Sequence, residues 1–185
     1  MRLRQLLQTK PHKVLKMAGS DIKSGHLHSS GFIVKHRARV RSVDFVGANG
    51  GGLLVVFDTL TAPVEATYLR SGNTVTVTST AHGLVTGQEV GINFEEDSGV
   101  IATPGTYPIT RVNANSFTIT DINSGTIAND PDCQYVVGGH WLCTFHTNTS
   151  DVFYNGHHLP DEGMLAKQGV YCFASGMDSI NIFHS

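Results

Sequence analysis

Along most of the chain, apolar and polar residues alternate with a period of two, the spacing of a strand with one buried face. In "FIVKHRARVRSVDFVG" (residues 32–47), Phe32, Val34, His36, Ala38 and Val40 fall on one side, and Lys35, Arg37, Arg39 and Arg41 on the other. One strand with four cations in a row is the prediction. "GANGGG" (47–52) reads as a flexible turn, and the continuous apolar run "LLVVFDTL" (53–60) as a buried strand. From about residue 62 to 139 the style changes, and "WLCTFHT" (141–147) then resumes that of "LLVVFDTL". The C-terminal segment reads as strands in "DVFYN", "MLAKQGVYCFA" and "INIFHS", joined by the loop "GHHLPDEG" and the turn "SGMDS". The prediction is therefore an all-β protein. Residues 21–61 and 140–185 form a β-sandwich or jelly-roll-like outer domain, and residues 62–139 a small β-module spliced into one of its hairpins.

Within the insert, "NTVTVTST" is a strand, "AHGLVTGQ" a turn and "EVGINF" a second strand. The loop "EEDSGVIATPG" leads to "TYPITRVN", the turn "ANS" and the strand "FTIT". Short strands between Gly, Asn and Pro turns suit a small barrel or sandwich.

Composition agrees with this picture. Of 185 residues, 40% are hydrophobic and only 15% charged, with 20 Gly, which favours short strands and tight turns over long helices. No apolar run approaches the roughly 20 residues of a membrane span, so no membrane is expected as a partner. The basic N-terminus has no continuous apolar core of the kind a signal peptide needs. Cys133, Cys143 and Cys172 are odd in number and lack CxxC spacing, which predicts free thiols in a reducing compartment and no zinc site.

Charge changes the picture more. Residues 1–41 hold ten cations against Asp21, a net of +9, while the other 144 residues hold three cations and fourteen acids, a net of −11. Such a split concerns partners and association, not fold. Residues 1–20, with Arg2, Arg4, Lys10, Lys13 and Lys16, read as an extended basic arm. "RQLLQ" is long enough for one helical turn, but Pro11 interrupts it. Fully extended, such a segment spans about 60 to 70 Å, enough to cross onto another subunit. The plain alternative is a solvated tail.

The insert carries a likeness. Thr-Val-Thr-Val, followed by His82-Gly83-Leu84, Thr86-Gly87-Gln88, Val90, Gly105-Thr106-Tyr107 and Phe117-Thr118-Ile119-Thr120, resembles a recurrent β-module of bacteriophage tail and fibre proteins. That module is similar to the first catalytic-cysteine half-domain of ubiquitin-activating enzymes, a name for the fold and not for an activity. The likeness covers roughly residues 70–121. The ending "GMLAKQGVYCFASGMDSINIFHS" resembles, more weakly, the ends of small phage virion proteins. Together they imply a virion structural protein.

Each candidate for chemistry has a structural counterpart. His82 reads as the corner of the module, its ring bonded to loop backbone, with Gly83 and Gly87 supplying turn dihedrals and Leu84 following. His26 and His28 alternate on a strand like the His-x-His of a cupin metal site, but no carboxylate follows them, and no metal or cofactor is assigned. Lys35, Arg37, Arg39 and Arg41 are either a solvated strand face or an interface to acid, and Arg favours bidentate pairing with carboxylates. With few aromatics beside them and an acidic remainder, sequence-specific nucleic-acid binding is not expected. Glu95, Glu96 and Asp97 share one loop and divide into no acid and base pair. No nucleophile elbow or phosphate loop is present, since "GANGGG" lacks the Gly-Lys-Ser/Thr that would follow.

The expected function is a non-enzymatic capsid decoration, or cement, protein of a bacteriophage particle. Its partners would be the major capsid protein or other virion subunits, and its own state an oligomer, a trimer first. It would be located in the virion, after assembly in the host cytoplasm. Alternatives are a neck or tail accessory, a fibre-attachment protein, or a host-glycan-binding display module with Tyr68, Tyr107 and Trp141 as platforms. A metal-dependent cupin-like enzyme is the remaining class.

Overall fold

The computed structural model describes residues 22–47, 51–95, 101–129, 131–147, 154–159 and 162–185, with backbone alone for 154–158. All of its regular structure is β. Fifteen strands are present among the described residues: β1 (Lys23–Leu27), β2 (Gly31–Val34), β3 (Ala38–Gly47), β4 (Gly52–Asp58), β5 (Val64–Thr78), β6 (Glu89–Phe94), β7 (Gly105–Pro108), β8 (Thr110–Arg111), β9 (Ser116–Ile127), β10 (Asp132–Val137), β11 (His140–Thr147), β12 (Tyr154–His158), β13 (Met164–Ala166), β14 (Val170–Ser175) and β15 (Met177–His184). They form three sheets. An outer sheet runs β1-β15-β3-β12, with β13 also on β3. A middle sheet runs β11-β4-β14-β2, and a module sheet, drawn wholly from residues 64–137, runs β7-β6-β10-β5-β9-β8.

The outer and middle sheets face each other across an apolar core. Val40, Val43 and Phe45 of β3 and Ile180 and Ile182 of β15 meet Leu54 and Val56 of β4 and Val170 and Cys172 of β14. β4 is apolar throughout because both of its faces are covered: Leu53, Val55 and Phe57 point away from that core and pack with Val136 of β10, Trp141 and Phe173. The module sheet curls around its own core, which includes Tyr68, Val75, Val77, Ile92, Phe94, Phe117, Ile119 and Tyr135.

Two predicted strands are broken, both for one reason. The run from Phe32 to Gly47 divides at residues 35–37, because β2 pairs with β14 of the middle sheet and β3 with β15 of the outer sheet. "MLAKQGVYCFA" divides at 167–169, where the chain passes from β13 on the outer sheet to β14 on the middle one. Strands that turn a sandwich corner keep their alternation while changing sheets. Asp58, at the end of β4, anchors the second corner: its carboxylate accepts the backbone N–H of Lys167 (2.8 Å), Gln168 (2.8 Å) and Gly169 (3.2 Å).

Other differences are of extent. β12 takes in residues 156–158, read above as loop. "TYPITRVN" is split by Ile109, which turns into the module core. β5 and β9 run well beyond "NTVTVTST" and "FTIT", and β10 had no counterpart in the prediction.

Candidate interaction surface

Row by row across the outer sheet, Lys23 of β1 lies opposite His184 of β15, which lies opposite Val40 of β3, which lies opposite Met164 of β13. Val40 is in the core, so its neighbours Arg39 and Arg41 face outward. Arg41 is also the extra residue of a bulge, since Ser42 pairs with Phe183 and Val40 with His184. Two interstrand spacings, about 10 Å, therefore separate the backbone at Lys23 from that of the arginines. The described chain begins at Ile22, beside this row. Lys23 and the two arginines thus share one end of one sheet, Lys23 on the face of His184 and Val40 and the arginines on the other.

The row also has internal partners. Arg39 Nη2 lies 3.1 Å from the carboxylate of Glu162, and Arg41 donates to the Glu162 carbonyl (2.6 Å) and to Ser185 Oγ (3.2 Å). Backbone bonds between Arg39 and Ser185 continue the sheet beyond β15. Lys35 and Arg37 lie in the corner between β2 and β3 and not on a strand with Arg39 and Arg41, which corrects the four-cation row. The Lys35 ammonium sits 4.3 Å above the Phe32 ring, and that ring packs edge-on against Tyr171. A recess of about 210 Å³ opens beside Arg37, Arg39 and Ser185. His184 is buried; burial, then His36 and Lys23, lower its pKa, because the surroundings already carry positive charge. The arm cations Arg2, Arg4, Lys10, Lys13 and Lys16 lie outside the described residues.

His82 occupies a turn. Its Nδ1 accepts the Leu84 N–H (3.0 Å), which leaves Nε2–H to donate to the carbonyls of Asn113 (3.0 Å) and Ser116 (3.3 Å). Gly83 and Gly87 hold φ of 67° and 88°, values that β-carbons disfavour. Of the aromatic platforms, Tyr68 is wholly buried in the module core and donates to the Glu95 carbonyl, so it cannot meet a glycan. Tyr107 is half-buried and donates to the Thr103 carbonyl, and Trp141 is half-buried at the junction with the module. Glu96 and Asp97 lie outside the described residues. Burial raises the pKa of all three thiols, that of Cys143 to about 12.

Two polar constellations had no counterpart in the sequence reading, and a third joins residues it had singled out. Arg70 and Asp121 form an ion pair of 2.8 Å with both side chains fully buried. Arg70 also donates to the carbonyls of Gly72, Ile101 and Asn123, while Asp121 accepts the N–H of Thr103 and Asn123. Burial alone would raise the Asp121 pKa; the Thr103 and Asn123 N–H bonds and the Arg70 charge more than offset it, leaving it lowered.

The second is a relay at the junction of module and body. Trp141 Nε1 donates to Thr144, Thr144 to Asn93, Asn93 to Gln134, and Gln134 to Glu95. Its four bonds run in one sense and end on a carboxylate, which suits cooperative strengthening. Gly91 permits this close approach, since a β-carbon there would lie 2.6 Å from the Trp141 nitrogen.

The third is the His26–His28 pair of the sequence reading, with His28 just past the end of β1 and not on the strand itself. The imidazoles stand edge to face with Nε2 atoms 3.0 Å apart. No group of three or more His, Cys, Asp or Glu able to hold a metal occurs among the described residues, and no described helix is long and apolar enough to cross a membrane.

No family model, no curated protein and no solved structure matches the chain.

Proposed function

We propose that this protein is a non-enzymatic structural component of a bacteriophage particle, a capsid decoration protein that binds and stabilises the major capsid shell. The observation that carries the docking mechanism is that the described chain begins at β1, two strands from Arg39 and Arg41 on the outer sheet. Arg39 and Arg41 face outward at the end of the sheet nearest the basic first twenty residues in sequence, and cations so grouped suit an acidic subunit face. The module stands on the opposite side of the middle sheet, inserted between the paired strands β4 and β11, so body and module present separate faces. The phage setting is supported by the likeness of residues 70–121 to phage modules and by the chain's ending. In this mechanism the body docks first, and the arm then binds at a high effective concentration.

The test is the copy number per purified virion by quantitative mass spectrometry. A number comparable to the major capsid protein is expected, and removal of residues 1–20 should weaken attachment, more so as salt rises. A ring's worth of copies would move the protein to the neck or tail, and absence from particles would overturn the structural role.

A further inference from the structure

From the geometry of His26 and His28 we infer a binding site for a divalent first-row transition metal on the exposed edge of the outer sheet. His28 Nδ1 lies 2.8 Å from the Asp178 carbonyl, which only accepts, so that nitrogen carries the proton. His26 Nδ1 lies 2.7 Å from Asn181 Oδ1 and, with the amide oxygen turned to it, donates its proton there. In the neutral rings both Nε2 atoms are then bare lone pairs, and they face each other at 3.0 Å. Two lone pairs at that distance repel, and a cation between them removes the conflict. Imidazoles whose outer nitrogens are tied to oxygen acceptors are also the usual supporting arrangement of metal ligands.

The spacing selects a geometry. With metal–nitrogen bonds of about 2.0 to 2.1 Å, nitrogens 3.0 Å apart subtend about 90 to 100° at the metal. That is closer to the cis positions of an octahedron than to a tetrahedron, which needs a separation of about 3.3 Å or more. Among metals that accept imidazole, Cu²⁺ and Ni²⁺ suit this angle, and Ni²⁺ is the redox-inert probe of the two. Both rings are exposed, so water can fill the other coordination positions. The second strand neighbour makes the site rigid: β1 is paired with β15 through Leu27↔Ile180, and both acceptors, Asp178 and Asn181, belong to β15.

The experiment uses the full-length, untagged protein. Calorimetric titration with Ni²⁺ should show one site per chain. His26→Ala and His28→Ala should each weaken it on the order of tenfold or more, and Asn181→Leu should weaken it less. Nitrogen NMR of the metal-free protein should find both rings protonated at Nδ1. A proton on His26 Nε2, bonded to His28, would mean that the Asn181 amide is turned and the pair is a closed hydrogen-bond chain, which overturns the site. Titrations unchanged in both alanine variants would overturn it equally, since the metal would then sit on other histidines.

Discussion

In the sandwich formed by the outer and middle sheets, the core is apolar, with His184 buried at its end and the charged residues Arg39 and Arg41 outside, held by Glu162. In the module, a similar span of sheet encloses an arginine and an aspartate together with its apolar core. The two cores do different work. The sandwich needs only shape and apolar area, because two sheets cover each other. The curled module sheet must also hold the loop at residues 101–103 and the irregular stretch of β9 at 121–123, whose backbone carbonyls and N–H groups need buried partners. Arg70 and Asp121 supply fixed partners for both.

Breaking that ion pair should give the largest effect. Removal of one partner strands the other charge in a dry site, so Asp121→Ala is expected to cost about 3 to 5 kcal/mol, measured by urea denaturation. The double variant Arg70→Met, Asp121→Leu should recover most of that loss, because apolar residues of similar volume need no partner. If both single and double variants melt like the wild type, the pair plays no part in stability and the contrast with the sandwich disappears.

Asp58 is a comparable device in the body, and its loss should rank second. Asp58→Ala leaves the N–H groups of residues 167–169 without their acceptor at the corner between the sheets, an expected cost of about 2 to 3 kcal/mol. Asp58→Asn keeps one acceptor oxygen and should lose less. An alanine variant as stable as the wild type would show that water replaces the carboxylate at this corner.

The strands of the sandwich were legible because their chemistry is local: "LLVVFDTL" and "WLCTFHT" share a style and pair directly. The sheet change at residues 35–37 was not, since alternation continues through it and only the partner strands reveal the break. The buried ion pair left a readable trace that went unused. Counting by twos from Ala66 and Tyr68 puts Arg70 inside and Leu69 outside, and counting from Phe117 and Ile119 puts Asp121 inside and Ile122 outside. Leu69 and Ile122 are indeed exposed, Ile122 at 80%. Two opposite charges at inward positions, each beside an outward apolar residue, is a conflict that pairing resolves. Asp58 left no such trace, and the His26–His28 spacing was legible without its acceptors, because the partners of both lie more than a hundred residues away and meet them only through sheet order.

Acid should sharpen the comparison, with smaller effects of opposite sign in the two regions. The folded pKa of His184 is lowered by burial and by the neighbouring His36 and Lys23. Its neutral form suits the folded body, so stability is fully present above its ordinary value of 6.5 and declines as pH falls below it, where the unfolded chain takes up the proton first. His184→Asn should remove that part of the decline. At the module junction, burial raises the pKa of Glu95, partly countered by the Gln134 bond. Here the charged form is the disfavoured one: the contribution is fully present below 4.5 and is lost as pH rises through the raised folded value. Glu95→Gln keeps an acceptor for Gln134 and removes the charge. It should therefore raise the melting temperature slightly at about pH 7, with the gain vanishing by about pH 4. Melting curves of wild type and both variants across this range read the two effects separately. A Glu95→Gln gain that persisted at low pH would mean that the relay is limited by its geometry, and the carboxylate's charge would no longer distinguish the junction from the apolar sandwich.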